Sequence, residues 1–142
     1  MKHTVLLICT GNSCRSQMAE AILNAKAKEL GVDVQAYSAG SHPAAKVQEQ
    51  TKTVLEERGY STHGLHTKGT EVFRSEHFDS IITLCDYAAA NLAFIPEHTT
   101  KIHTSFPDPY YASGTPADVL NEYRRVQNLL EDWVDRWLRC LI

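Results

Sequence analysis

A chain of 142 residues with 43% apolar composition fits one globular domain spanning 1–142 and leaves no room for a second. Its formal net charge of -3, without a basic cluster, lacks the electrostatic footprint of a protein that neutralises a run of phosphates, so no nucleic-acid partner is expected. No stretch approaches eighteen consecutive apolar residues and Val5 to Ile8 is too short for a signal peptide, so the expectation is a cytoplasmic protein with no membrane partner.

Thr4 to Cys9 is a continuous apolar run, the pattern of a strand buried on both faces, and from Ser16 to Leu30 the spacing turns helical, with Ala19, Ile22, Leu23 and Leu30 on one face. Gly31 stops that helix. Val32 to Ser38 reads as a second strand and Lys46 to Arg58 as a second helix closed by Gly59. After a polar, turn-rich stretch from Ser61 to Thr70, Ser80 to Leu84 supplies a third strand and Tyr87 to Ala93 a helical piece ended by Pro96. Lys101 to Phe106 is the fourth strand and Pro107 to Thr115 a loop. The rest reads as one long helix, with Thr115 as N-cap, Pro116 and Asp118 in the first turn, and a stripe of Val119, Tyr123, Val126, Leu130, Trp133 and Trp137 that should pack on the sheet.

The alternation predicts an α/β fold: a single three-layer domain with a four-stranded parallel sheet and helices on both faces. Ligands of open parallel sheets bind beyond the carboxyl ends of the strands, where Cys9, Cys85 and Asp108 all fall.

The chemistry is concentrated in Cys9-Thr10-Gly11-Asn12-Ser13-Cys14-Arg15-Ser16, between a buried strand and a helix start. There successive backbone N–H groups can face inward as an anion nest. Gly11 and Asn12 tolerate left-handed backbone angles, and Arg15 offers a planar fork for two oxyanion oxygens. The same amides and helix end should favour a thiolate at Cys9. Ser13 and Ser16 are candidate hydroxyl donors, with helix capping as the plainer role for Ser16. Taken alone, Cys9 also fits a buried strand-end thiol. The loop is not a nucleotide-binding loop, because no Gly-Lys-Ser or Gly-Lys-Thr follows the first strand.

The four cysteines, Cys9, Cys14, Cys85 and Cys140, are read as free thiols in a reducing compartment. His63 and His66 lie three apart without a Cys-x2-Cys pair or a His-Glu-x-x-His helix, so neither metal nor cofactor is expected.

The loop, with Gln17-Met18-Ala19-Glu20 after it, resembles the low-molecular-weight protein tyrosine phosphatase superfamily, and within it the arsenate reductases. The likeness continues through Ser38-Ala39-Gly40, Ile82-Thr83-Leu84-Cys85-Asp86, Phe106-Pro107-Asp108-Pro109 and Ser113-Gly114-Thr115. It implies Cys9 as nucleophile, Arg15 as oxyanion clamp and Asp108 as general acid, with arsenate or phosphate held by the residues from Thr10 to Ser16.

The reductase branch adds Cys85, implied to attack the arsenylated Cys9 and expel arsenite as a Cys9–Cys85 disulfide forms. A small buried strand-end residue is the plainer reading of Cys85. Thioredoxin-coupled reductases usually carry a third cysteine seven residues later, where this chain has Leu92. The implied reductant is therefore an outside low-molecular-weight thiol, glutaredoxin or thioredoxin, with recruitment of Cys140 as a weaker idea.

Cys14 either traps Cys9 as a protective disulfide or packs beneath the loop. Tyr110 and Tyr111 resemble the phosphatase branch, which hydrolyses phosphotyrosine through a phospho-cysteine, here Cys9. His42 either approaches the pocket mouth or is a solvated loop residue. Two further readings stay open: a phosphoryl carrier, against which Arg15 argues, and an oxyanion sensor.

Overall fold

A computed structural model describes residues 2–92 and 99–141. Its elements in chain order are β1 (His3–Cys9), α1 (Arg15–Leu30), β2 (Val34–Gly40), α2 (Glu49–Glu57), β3 (Ser80–Thr83), α3 (Asp86–Ala90), β4 (Thr100–His103) and α4 (Pro116–Leu141), with 3-10 turns at Thr70–Phe73 and Pro109–Tyr111. The four strands form one parallel sheet in the order β2-β1-β3-β4, the α/β architecture expected from the sequence. Ala93 and Pro96, expected to finish the third helix, lie outside the described residues.

Central position explains the apolar run of β1: Val5 to Cys9 are all buried because both faces of the sheet are covered. The crossovers β1→α1→β2 and β3→α3→β4 run in opposite directions across the sheet, so their shared right-handedness sets α1 and α3 on opposite faces. On the face of Leu6 and Tyr37, the ring of Phe78 packs edge-on and that of Phe73 tilted against Tyr37, both at 5.9 Å.

Helix α4 carries a reciprocal cap: Asp118 N donates to Thr115 Oγ1 (3.1 Å) and Thr115 N to Asp118 Oδ2 (3.0 Å). It packs beside α1 and α2, and its buried apolar residues share one core with those of β1 and β3, as the stripe predicts. The tryptophans add edge-on ring contacts, Trp137 to His3 at 5.7 Å and Trp133 to Phe106 at 6.5 Å. Its buried face is Tyr123, Val126, Gln127, Leu130, Val134 and Leu138, while Trp133 and Trp137 are half-buried. The successive steps of four from Leu130 to Val134 and Leu138 carry the buried line past the tryptophans, which leaves Trp133 and Trp137 at its edge.

Other boundaries differ for local reasons. Strand β2 begins at Val34, not Val32, because Gly31 turns left-handed (φ 70°) and Val32 N bonds back to Ala27 O (2.8 Å), ending α1. Helix α2 begins at Glu49, not Lys46, because the chain before it is spent on the loop after β1: Ala44 N donates to Gly11 O and Gln48 N to Ser13 O. Strand β4 ends at His103, yet Thr104 N to Thr83 O (3.0 Å) and Phe106 N to Leu84 O (2.9 Å) keep the chain beside β3 as far as Phe106.

Candidate active site

The loop between β1 and α1 is shaped from outside. Ser41 N donates to Cys9 O (3.0 Å), His42 N to Thr10 O (2.8 Å), Ala44 N to Gly11 O (2.8 Å), Gln17 Nε2 to Asn12 O (2.9 Å), Gln48 N to Ser13 O (3.1 Å) and Met18 N to Cys14 O (2.9 Å). Six successive carbonyls are therefore turned outward, and no peptide here is cis. In a trans peptide the next N–H points the opposite way, so the amides from Thr10 to Arg15 face inward around the carboxyl end of β1.

Asn12 holds the sharpest turn, at φ 53°. Its Nδ2 donates to Ser16 Oγ (2.7 Å) and Ser38 Oγ (3.0 Å), and its Oδ1 accepts from Lys68 N (3.0 Å). These bonds offset the cost of a left-handed non-glycine residue. Gly40 stands against the same turn: a Cβ there would lie 2.6 Å from Thr10 O and 3.0 Å from Asn12 N, both backbone atoms that cannot swing aside. Gly40→Ala is expected to displace the loop and lower kcat by about a hundredfold, with circular dichroism showing the fold retained.

Cys9 lies at the base of the nest. Its sulfur is 2.9 Å from Ser16 Oγ and accepts from Asn12 N at 3.3 Å. Burial pushes the Cys9 thiol above its ordinary range, opposed by the Ser16 hydroxyl, the Arg15 charge and the amides of Ser16 and Asn12. The direction is opposite to the expected thiolate, because burial outweighs the hydrogen bonds and the Arg15 charge.

Arg15 Nη2 is paired with Asp108 Oδ2 at 3.1 Å, and its Nη1 donates to Phe106 O at 3.1 Å. Asp108 Oδ1 accepts from Tyr110 N at 3.0 Å. The clamp and the acid implied by the sequence thus meet each other, and the guanidinium charge is shared with a carboxylate. Arg15 Nε is buried with no partner among the described residues. A cleft of about 430 Å³ opens over these groups, lined by Cys9, Arg15 and Asp108 at its floor and by His42, Lys46 and Tyr110 nearer the mouth. Tyr111 lines it too, and the His42 ring packs 5.3 Å from Tyr87.

Cys85 is 7% exposed and does not line the cleft. Its sulfur lies 3.3 Å from Thr10 Oγ1. Pairing of Ile8 with Thr83, continued by Leu84 N to Ile8 O, sets Cys9 and Leu84 on the α1 face and Thr10 and Cys85 on the opposite one. Cys14 packs beneath the loop, its sulfur 3.5 Å from Tyr123 OH, and burial raises its pKa. Cys140 is exposed near the end of α4.

Sequence reasoning gave no role to the layer behind the loop: Gln17, Ser38, Gly40, Gln48 and Thr51, whose hydroxyl donates to Ser13 O at 3.0 Å. A serine and a glycine at the carboxyl end of the strand beside β1 were the available signal.

Among the described residues, no helix is long and apolar enough to cross a membrane. The family described as low molecular weight phosphotyrosine protein phosphatase matches residues 4–141. An arsenate reductase of Bacillus licheniformis is 32% identical over 136 residues, covering 96% of this chain and 95% of that protein. A low molecular weight protein tyrosine phosphatase from T. tengcongensis superposes with a TM-score of 0.83 at 26% identity, covering 97% of this chain and 99% of the other. An arsenate reductase from Archaeoglobus fulgidus superposes with a TM-score of 0.76 at 29% identity, covering 94% and 98%. With its outward-turned carbonyls, basal cysteine and arginine at the helix start, the chain belongs to the low molecular weight phosphotyrosine protein phosphatase family.

Proposed function

We propose that the chain reduces arsenate to arsenite, with Cys9 as nucleophile and Cys85 as the thiol that completes the two-electron transfer. The observation that carries the chemistry is the inward-facing row of amides from Thr10 to Arg15 around the Cys9 sulfur, a cradle for a tetrahedral oxyanion. The choice of arsenate is supported by relatives named arsenate reductase that match nearly the whole chain, and by a second thiol just past β3.

Arsenate enters as a dianion and takes the Arg15 fork from Asp108, replacing one carboxylate oxygen with two oxyanion oxygens. The buried Cys9 proton passes to the bound anion, leaving the total charge in the cradle unchanged and freeing the thiolate. Sulfur attacks arsenic as the opposite As–O bond breaks, and Asp108 relays a proton taken up from solvent to the oxygen that leaves as water. The Cys85 thiolate then attacks Cys9 Sγ. The S–S bond forms, the S–As bond breaks with its electron pair left on arsenic, and arsenite departs.

The protein is now two electrons short. Leu92 occupies the place of a third thiol, so an outside donor returns the electrons: a low-molecular-weight thiol, glutaredoxin or thioredoxin, which also resolves any adduct Cys85 does not reach. Free thiols suit a reducing cytoplasm.

Hydrolysis of phosphotyrosine through phospho-Cys9 is the second reading, favoured by Tyr110 and Tyr111 at the mouth of the cleft. A single turnover with arsenate and no added thiol separates the two. The wild type is expected to release one arsenite per chain, whereas Cys85→Ala accumulates arsenylated Cys9 and releases none. Equal arsenite release from both proteins would remove Cys85 from the reaction.

A further inference from the structure

The segment that carries Cys85 has little to hold it by itself. Helix α3 spans five residues, too few for intrinsic stability, and Cys85 stands in extended conformation at its start. Backbone bonds tie Leu84 to Ile8 and Phe106, and side chains of β4 and the residues just after it add a second hold. Asp86 Oδ1 receives His103 Nε2 at 2.9 Å and the hydroxyl of Ser105 at 2.5 Å, and the other His103 nitrogen lies 2.7 Å from the hydroxyl of buried Thr83. Thr83 and Asp86 flank Leu84 and Cys85 in sequence. His103 bridges both ends of that stretch, one ring nitrogen to each, and thereby brackets Cys85 from β4. The Ser105 hydroxyl and His103 also hold the Asp86 carboxyl below its usual range, so it remains a carboxylate that accepts both donors.

The bracket is built around one orientation of Cys85, with the sulfur against Thr10 Oγ1 on the face opposite Cys9. A disulfide requires the two Cβ atoms to approach within about 4.5 Å with the sulfurs bonded, so Cys85 must turn toward Cys9 for the bond to close. Turning Cys85 carries the adjoining Asp86 with it, away from His103 and Ser105.

We propose that Asp86, His103 and Ser105 are positioning residues that hold Cys85 in the dithiol form, turned away from Cys9, and that this bracket opens when the Cys9–Cys85 disulfide closes. The inference rests on the reductase reading and adds to it a device that favours the reduced protein. None of the three residues lines the cleft, so the chemistry at Cys9 does not depend on them.

The test is the thiol–disulfide equilibrium of the full chain in glutathione buffers, read by alkylation and mass spectrometry. Oxidised glutathione takes two electrons from Cys9 and Cys85, giving the intramolecular disulfide and two reduced glutathiones. His103→Ala is expected to shift this equilibrium about fivefold toward the disulfide, the size of one exposed charged hydrogen bond. Ser105→Ala, at an exposed position, is expected to shift it the same way, and His103→Gln, which keeps a donor for Asp86, to return it toward wild type. Hydrolysis of an aryl phosphate by the reduced variants should match the wild type. Equal equilibrium constants in wild type, His103→Ala and Ser105→Ala would overturn the bracket alone. Absence of any Cys9–Cys85 bond in the wild type across all buffers would overturn the reductase reading and the bracket with it.

Discussion

Cys9→Ser is expected to fold and bind phosphate but to turn over neither arsenate nor an aryl phosphate, a loss on the order of 10⁴-fold to 10⁶-fold, as when a catalytic nucleophile is removed. The sulfur sits where the inward amides converge, 3.3 Å from Asn12 N and 2.9 Å from Ser16 Oγ. A serine oxygen fits the space but stays protonated under these conditions, and on the reductase path it has no thiol chemistry to offer Cys85. Binding and chemistry should separate cleanly: isothermal titration with phosphate retains its heat while both activities vanish.

The same sulfur makes a pH prediction. Burial raises the Cys9 pKa in the ligand-free protein, with Ser16, Arg15 and the amides pulling the other way. The reactive thiolate is therefore the minor form at neutral pH and grows as pH rises past the ordinary thiol range. Alkylation of Cys9 by iodoacetamide should climb along a curve displaced to higher pH than that of a free cysteine in solution. Nucleophile activation then belongs to the arrival of the oxyanion, which takes the thiol proton.

Arg15→Lys is expected to lower kcat/KM by about two to three orders of magnitude despite conserving the charge, comparable with removing an oxyanion donor. The guanidinium presents three nitrogens in a fixed plane: Nη1 bonds Phe106 O, Nη2 pairs with Asp108, and Nε is buried without a partner among the described residues. Exchange of Asp108 for two oxyanion oxygens needs that fork. An ammonium is a point charge on a flexible stem and cannot hold two oxygens in parallel. Steady-state kinetics with arsenate and with an aryl phosphate should show the loss on both substrates, because the clamp acts before the two paths diverge.

Much of this was legible in the amino-acid order. The unbroken apolar run of β1 marked a strand covered on both faces, Gly31 marked the end of α1, and Thr115 with Asp118 marked the start of α4, since each is a signal carried by adjacent residues. The residues from Cys9 to Ser16 were legible for the same reason. The layer behind them was not: Ser38 and Lys68 meet Asn12 from 26 and 56 positions away, and only the fold sets those meetings. The Arg15–Asp108 pair was hidden likewise. Both residues were named from the sequence, but a separation of 93 positions gave no sign that each would satisfy the other's charge. The facing of Cys85 depended on the register of β3 against β1, which no local pattern encodes.

The central claim is tested most directly by mapping every thiol after one turnover with arsenate, using reduced protein, no added thiol, rapid alkylation and mass spectrometry. The account predicts a Cys9–Cys85 bond formed in step with arsenite, with Cys14 and Cys140 alkylated. Arsenite released while Cys9 and Cys85 both remain free would contradict it.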